Sequence, residues 1–254
     1  MTSSGPALRG GKAASAIKHV YSLLSEAFGP QGWWPVTPAG KNSSVYRPGF
    51  HGPLSDAAIF EICAGAILTQ NTSWKNVQKA MEALAAAGML SQGNIAACPL
   101  PRLAGLVRPS GYYRRKADKL RAFSRRALKE HPEGLKSWFG AAGADELRRE
   151  LLSYSGVGPE TADCMALYGG GKLSFVIDAY TRRIGSRLGL AGPDGLSYDS
   201  WKGLFERSLP PDVKMYNEYH ALLVKLGKDF CRPRAPFCRA CPLAAVCKRE
   251  KHGN

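Results

Sequence analysis

Apolar residues recur at helical spacing along most of this 254-residue chain, whereas the alternation typical of strands is scarce. The longest irregular stretch, residues 30–56, is rich in Pro, Gly and Ser. The pattern therefore predicts an all-α fold. Helices are predicted over 16–28, 57–68, 74–87, 114–128, 145–153, 160–168, 179–189, 198–208 and 213–227.

The charge balance indicates a polyanionic partner. The chain has 35 Lys and Arg residues against 20 Asp and Glu, a net charge of +15. Such an excess favours a protein that binds nucleic acid, although a ribosomal or membrane-surface protein could share it. No apolar run approaches the roughly 20 residues of a membrane span, and the N-terminus lacks the apolar core of a signal peptide. We therefore expect a soluble intracellular protein with no membrane partner.

The stretch YSGVGPETAD, residues 154–163, predicts a tight hairpin that opens into a helix. Gly156 and Gly158 permit a positive φ or a close backbone approach, and Pro159 suits the first position of a helix. Backbone N–H groups at such an opening suit a phosphate. Glu160, in the first helical turn, would repel an anion that lay against it, so this motif alone leaves the partner open.

Four of the seven cysteines lie within the 17 residues CRPRAPFCRACPLAAVC. Cys63, Cys98 and Cys164 stand among apolar neighbours and are predicted to be core thiols. Without a secretory signal, the crowded four favour a metal site over disulfides. Their spacing leaves zinc and an iron-sulfur cluster as alternatives. These ligand candidates are Cys231, Cys238, Cys241 and Cys247.

Basic residues are concentrated between Arg102 and Lys129, where ten Lys or Arg residues are interleaved with aromatic side chains. Most such runs form a solvated helix face. Here, however, Tyr112 and its neighbour Tyr113 follow a glycine turn and precede two arginines, Arg114 and Arg115. These tyrosines suit either a wedge that enters a base stack beside phosphate-binding cations or ordinary loop packing.

Together, SGVGPETA, the aspartate in FVIDAYTRRI and the cysteine spacing resemble the helix-hairpin-helix DNA glycosylases of the endonuclease III type, from about Ile59 to Lys248. The resemblance implies two helical lobes with a DNA-binding cleft between them, and a 4Fe-4S cluster on the four cysteines. We expect residues 1–56 to pack with the cluster lobe, 57–174 to form the six-helix lobe, and 175–254 to form the cluster lobe.

The resemblance also assigns roles to individual residues. Asp178 would stabilise charge on the sugar and activate water, although it could also cap the following helix. Glu160 replaces the lysine of bifunctional relatives, so strand cleavage through a Schiff base is not expected; Glu160 itself is the runner-up base. Base flipping leaves a gap for Gln70 and Tyr112 to fill. The predicted DNA contacts are Gln70, Asn71, Tyr112, Arg114, Arg115, Gly156, Val157 and Gly158.

The segments GPQGWWP and ILTQNTSWKNV are similar to the 3-methyladenine DNA glycosylase branch. That similarity implies a monofunctional enzyme that removes an alkylated purine, with Trp33, Trp34, Trp74 and Lys228 in the base pocket. An insertion at 38–56 leaves the substrate range open. The alternatives are a uracil or thymine mismatch glycosylase, an oxidised-pyrimidine glycosylase, or a catalytically weak protein that binds damaged DNA. We expect a cytoplasmic, nucleoid-associated monomer acting on double-stranded DNA that contains a damaged base.

Overall fold

The computed structural model describes residues 10–50, 54–191 and 195–248. These residues form twelve α-helices and no β-strand, with an isolated antiparallel bridge between Val36 and Val45. The all-α prediction is confirmed. The helices are α1 (Gly10–Phe28), α2 (Asp56–Thr69), α3 (Trp74–Ala86), α4 (Gln92–Ala97), α5 (Leu100–Leu106), α6 (Tyr113–Glu130), α7 (Leu135–Ala141), α8 (Ala144–Leu152), α9 (Pro159–Cys164), α10 (Ala179–Arg187), α11 (Tyr198–Ser208) and α12 (Val213–Asp229).

The helices belong to two compact units. The terminal unit combines Met1–Gly32 with Phe175–Asn254, and the central unit is Trp33–Ser174. The predicted first segment, residues 1–56, is therefore divided: α1 belongs with the cysteine loop, whereas the chain from Trp33 onward does not. The physical reason is aromatic packing, because Trp33 and Trp34 both contact Trp74 inside the central unit.

Helix α2 forms the core of the central unit. All ten residues from Ile59 to Leu68 are buried, so this helix has no solvent face. The hydroxyl of Ser55 begins the helix by accepting a hydrogen bond from the Ala58 amide at 3.3 Å. Helix α2 packs against α3, α6, α7 and α9, which fixes the residues at its ends relative to the core.

The sequence prediction missed the short helices α4, α5 and α7, each six or seven residues long. Segments of this length contain too few turns to show periodicity, and local caps such as Ser91, whose hydroxyl accepts from the Asn94 amide, start them instead. Among its described residues the central unit consequently has eight α-helices, where the helical pattern predicted five and the resemblance implied six.

The helix predicted at 160–168 also changes type within its length. Helix α9 ends at Cys164 and a π-helical turn continues over Met165–Gly169. This turn brings Gly169 so close to Phe139 that an added Cβ would lie 3.2 Å from the ring. Close packing on Phe139 therefore accompanies the departure from regular α-helix.

In the terminal unit, α12 packs against both α1 and α10. The Tyr219 hydroxyl on α12 donates a hydrogen bond to the Ile17 carbonyl at 2.8 Å, and Phe175 stacks on Phe205 at 4.5 Å between ring centroids. This packing places the start of α10 beside the middle of α12. Over the described residues, no helix combines the length and apolarity that crossing a bilayer requires.

Candidate functional site

The predicted hairpin lies between α8 and α9, and its conformation requires glycine. Gly156 has φ +82°, and an added Cβ would lie 2.6 Å from Cδ of Lys119. Val157 is buried and anchors the turn, with its amide donating to the Tyr154 carbonyl at 3.1 Å. Gly158 is the N-cap of α9. Burial of Val157 thus holds the turn against the core, while Gly156 is exposed and Gly158 is half-buried.

Glu160 occupies the first turn of α9, and its side chain is exposed. A carboxylate in this position interacts favourably with the positive end of the helix. The structure places Glu160 in the first helical turn, where the sequence predicts it, and exposes its side chain.

Asp178 lies in the terminal unit as the N-cap of α10, and its side chain is buried. One carboxylate oxygen, Oδ1, accepts a hydrogen bond from the Thr181 amide at 2.7 Å. The other, Oδ2, lies 3.5 Å from Nε2 of His220 on α12. Burial alone would raise the pKa of Asp178, but His220 and the Thr181 amide outweigh it and hold the pKa below its ordinary value. Asp178 is therefore both a helix cap and an ionised buried carboxylate.

Gln70 contacts the hairpin directly. It is the C-cap of α2, and its amide Nε2 donates to the Gly156 carbonyl at 2.9 Å and to the Thr161 hydroxyl at 3.0 Å. Its Oε1 accepts from the Lys119 ammonium at 2.7 Å. Asn71 follows with φ +54° and an exposed side chain. The structure therefore brings two predicted DNA-contact regions together, 86 residues apart in sequence.

Tyr112 projects from the turn before α6, with φ +45° and 71% of its surface exposed. Arg114 and Arg115 are exposed in the first turn of the same helix. An aromatic ring this exposed does not pack in the protein core. The three side chains present an aromatic group and two cations together.

Buried Lys116 ties the Tyr112 turn to the end of α2. Its ammonium donates to the Ser110 carbonyl at 2.6 Å and to the Leu68 carbonyl at 2.8 Å. Burial, with a smaller contribution from the nearby charge of Lys119, lowers the pKa of Lys116 to about 8. Two backbone segments that precede predicted DNA contacts are thus joined by one side chain.

The three tryptophans predicted for the base pocket form one aromatic cluster in the central unit. Ring centroids of Trp33 and Trp34 lie 4.9 and 5.0 Å from that of Trp74, respectively. Tyr46 lies 5.5 Å from Trp33, and Tyr168 lies 5.4 Å from Trp34. Tyr46 comes from the predicted insertion, so this segment contributes to the cluster as well as to the surface.

Lys228, the fourth pocket candidate, lies in the last turn of α12 in the terminal unit. Loss of hydration lowers the pKa of its ammonium group, while the carboxylates of Asp229 and Asp178 act in the opposite direction. Lys228 is therefore close enough to Asp178 for the charge of that carboxylate to act on the pKa of Lys228. The tryptophans belong to the other unit.

The four clustered cysteines line one cavity in the terminal unit. Arg187 of α10 also lines it, and its Nη1 donates to Sγ of Cys231 at 3.0 Å. The same guanidinium donates to the carbonyls of Arg232 and Pro233, which fixes it against the loop. The remaining lining residues are Phe230, Cys238, Cys241, Cys247, Pro236 and Ala244.

Comparison with known proteins places the fold and these motifs in one family. The HhH-GPD superfamily of base excision DNA repair proteins matches residues 64–211. The chain belongs to this superfamily. The match contains Gln70, Tyr112, the hairpin and Asp178, so the resemblance predicted from the sequence is confirmed. The cysteine loop and the Trp33–Trp34 pair of this HhH-GPD protein lie outside the matched range.

Two relatives are similar to the HhH-GPD protein over most of their length. The putative DNA repair glycosylase MJ1434 of Methanocaldococcus jannaschii is 38% identical over 233 residues, covering 91% of this chain and 95% of the relative. Endonuclease III of Thermotoga maritima is 28% identical over 189 residues, with coverage of 74% and 82%.

A solved structure agrees with the same assignment. The 3-methyladenine DNA glycosylase of H. pylori, bound to 1,N6-ethenoadenine, superimposes with a TM-score of 0.66 at 26% identity. The alignment covers 85% of the HhH-GPD protein and 97% of that chain.

Sequence reasoning missed several partners of the predicted residues. His220 faces Asp178 from 42 positions away, Lys119 holds Gln70, and Arg187 contacts Cys231. His220 and Arg187 sit in ordinary helical patterns, and Lys119 belongs to the basic run from Arg102 to Lys129, whose usual meaning is a solvated face. Since all three contacts depend on how helices pack, local sequence carries no signal for them.

Proposed function

We propose that this HhH-GPD protein is a monofunctional DNA glycosylase that flips a damaged base, most favourably an alkylated purine such as 3-methyladenine, and hydrolyses its N-glycosidic bond. The observation that carries the proposal is the buried carboxylate of Asp178, which accepts from the Thr181 amide and faces His220. Breaking an N-glycosidic bond leaves positive charge on the sugar. A fixed carboxylate stabilises that charge and orients or activates water.

The surroundings of Asp178 suit this role. Its Oδ1 is occupied by the Thr181 amide, while Oδ2 faces the His220 imidazole at 3.5 Å. The Thr181 bond fixes the orientation of the carboxylate before substrate arrives, so no rearrangement is needed when charge develops. The pKa, held below its ordinary value, keeps the group charged at neutral pH.

Glu160 supports hydrolysis by water alone. A strand-cleaving relative needs an amine that attacks the sugar and forms a Schiff base, and a carboxylate cannot do so. Glu160 instead offers an exposed negative charge in the first turn of α9. We infer that the product is an intact strand with an abasic site.

A panel of lesion duplexes tests the proposed activity. Purified protein should release 3-methyladenine, and the strand should break only after alkali is added. Borohydride should trap no covalent complex. Preferred release of uracil, mismatched thymine or an oxidised pyrimidine would replace the substrate assignment. Binding without any release would instead favour a damage-binding protein, and strand cleavage without alkali would contradict the monofunctional mechanism.

The DNA-binding surface that we propose has two parts in the central unit. In the hairpin formed by Gly156, Val157 and Gly158, the Val157 amide donates to the Tyr154 carbonyl. The amides of Gly156 and Gly158 would therefore position the phosphate, without reading sequence. The second part comprises exposed Tyr112 with Arg114 and Arg115. An exposed aromatic group beside two cations suits a duplex that has to be opened at one base pair.

Replacing Arg114 and Arg115 together with alanine should weaken binding to all duplexes similarly. Each lost phosphate contact should reduce the salt slope of the binding constant by about one unit. Affinity measured by fluorescence anisotropy at several salt concentrations gives this slope. Lys75 and Lys79, exposed on α3, provide a control pair with the same loss of charge. An unchanged slope in the arginine variant would show that Arg114 and Arg115 make no phosphate contact and only form a solvated helix face.

The aromatic cluster supports an alkylated purine as substrate. A cationic base such as 3-methyladenine is attracted to the face of an indole ring by about 0.5 to 2 kcal/mol. Trp33, Trp34 and Trp74 supply three such rings within 5.6 Å of one another. The 3-methyladenine DNA glycosylase of H. pylori has a similar fold. We assign Lys228 a weaker role, in contact with either base or phosphate.

The cysteine loop fits a 4Fe-4S cluster. Zinc with four sulfur ligands brings the sulfurs to about 3.8 Å of one another, because Zn–S bonds are about 2.3 Å long. Over the described residues, the side chains that bring three candidate ligand atoms within 4.8 Å are Glu130, His131 and Glu150, and not the cysteines. A wider ring of thiols around one cavity, with Arg187 beside Cys231, suits a larger anionic group. When bound, such a cluster would link four points of the loop through iron-sulfur bonds.

Replacing His220 with leucine should move the acid limb of base release to higher pH. Burial still raises the pKa of Asp178 in this variant, while one of the two opposing interactions is lost. Asp178 should then take up a proton at a higher pH than in the wild type and lose its stabilising charge earlier. Single-turnover rates from neutral pH to about pH 3 measure the shift. His19→Leu, at an exposed position of the same unit, should keep the wild-type limb, and an unmoved limb in His220→Leu would contradict the assignment.

A further inference from the structure

The side-chain amide of Gln70 is already in use in the DNA-free protein. Its two N–H groups are committed to the Gly156 carbonyl at 2.9 Å and the Thr161 hydroxyl at 3.0 Å. Its oxygen accepts from the Lys119 ammonium at 2.7 Å. An amide has two donors and two acceptor lone pairs, so both donors and one lone pair are occupied. Gln70 cannot offer its donors to an unpaired base while these contacts last.

Lys119 is placed to control these contacts. Its aliphatic stem lies against the hairpin, since a Cβ added to Gly156 would be 2.6 Å from Cδ and 2.7 Å from Cε and Cγ of Lys119. Its ammonium then reaches Gln70. The stem of Lys119 thus contacts the hairpin, which is proposed to bind a phosphate. Its ammonium holds Gln70, which is proposed to fill the gap left by the flipped base.

We propose that Lys119 is a positioning residue that retains Gln70 on the hairpin until DNA arrives. This inference rests on the proposed function, in which Gln70 occupies the gap left by the flipped base. A phosphate bound at the hairpin competes for the Lys119 ammonium, because a charge-assisted hydrogen bond to phosphate is stronger than one to a neutral amide oxygen. Release of the amide oxygen weakens the hold on Gln70, and the side chain becomes available for insertion.

The retained state has a measurable cost. Because Gln70 must leave its partners before it inserts, the Lys119 contact lowers affinity for DNA that contains a gap relative to intact DNA. Removal of the Lys119 ammonium should raise the preference for DNA with a gap over intact DNA by about 3- to 10-fold. This is the range expected for one charge-assisted hydrogen bond at a partly exposed site.

Lys119→Met tests the inference, because methionine keeps an unbranched apolar stem beside Gly156 and removes only the ammonium. The affinity ratio is measured between a duplex with a tetrahydrofuran abasic analogue and the intact duplex, at fixed salt. The ratio should rise in Lys119→Met. It should not rise in Lys129→Met, which loses the same charge from an exposed position on the same helix. Equal ratios in the two variants, with unchanged melting temperatures, would overturn the inference.

A double-mutant cycle distinguishes retention from a direct effect of Lys119 on DNA. In a Gln70→Ala background, Lys119→Met should leave the ratio unchanged, because the side chain it retains is absent. The same rise in that background would show that Lys119 acts without Gln70 and would reject the inference. If Gln70→Ala alone leaves the preference for the abasic duplex intact, gap filling by Gln70 fails, and the inference fails with it. Base release itself is tested separately by the lesion panel, and the role of Asp178 by the Asp178→Asn variant.

Discussion

Asp178→Asn should reduce the single-turnover rate of base release by roughly 10²-fold or more while lesion binding survives. Asparagine keeps the size of the side chain and can still accept the Thr181 amide bond that caps α10. The negative charge is lost, and an NH2 donor replaces the oxygen that faces His220. The rate is measured on the substrate that the lesion panel identifies, and affinity is measured on an uncleavable duplex.

Asp212→Asn provides a matched control for this experiment. Asp212 is also an N-cap of the terminal unit, where its Oδ1 accepts from the Lys214 amide at 2.8 Å. The control therefore removes a charge from a capping aspartate and should leave the rate unchanged. Normal turnover in Asp178→Asn would reduce Asp178 to a cap.

Glu160→Gln then assigns the remaining carboxylate. Near-normal activity would leave Asp178 as the working group. A loss comparable to that of Asp178→Asn would include Glu160 in the activation of water.

Cys238→Ser should abolish the bound iron and destabilise the terminal unit. If Cys231, Cys238, Cys241 and Cys247 hold a 4Fe-4S cluster, anaerobically purified wild type should be brown and contain about four irons. A ligand loop organised by its metal loses folding free energy when one ligand is removed. Iron analysis and thermal unfolding, followed on the same preparations, measure both effects.

Cys98→Ser is the control, because Cys98 lies in the central unit, away from the cysteine loop. It should retain iron and colour. Stoichiometric zinc without iron in the wild type would contradict the cluster. A Cys238→Ser protein that loses iron yet melts like the wild type would show that the metal loop does not stabilise the terminal unit.

Much of the fold could be predicted from the sequence, because long helices repeat their pattern over several turns. Helices α2, α3, α6 and α12 show this clearly. The short helices α4, α5 and α7 could not be predicted, since six or seven residues give fewer than two full turns. The π-helical turn after α9 was also missed; it lies against Phe139, which is distant in sequence.

The candidate site likewise has parts that could be predicted from the sequence and parts that could not. The glycines of the hairpin and the cap position of Asp178 follow from local rules for turns and helix starts. The position of Gln70 on the hairpin does not, because it requires α2, α6 and α9 to meet. The same holds for His220, whose relation to Asp178 depends on the packing of α10 against α12.

Helix α2 fixes the distance between two positions with different proposed roles. One contacts the proposed base pocket, and the other is proposed to fill the gap left by the flipped base. Trp34 rests on Gly65, where an added Cβ would lie 2.8 Å from its ring, and Gln70 follows at the end of the same helix. The two positions are five residues apart, about 7.5 Å along the axis. Because Ala66, Ile67 and Leu68 between them are buried, substitutions there would lower the stability of the central unit. If the tryptophans bind the damaged base as proposed, substitutions in residues 38–50, such as at Tyr46 beside Trp33, could reshape the pocket while α2 stays constant.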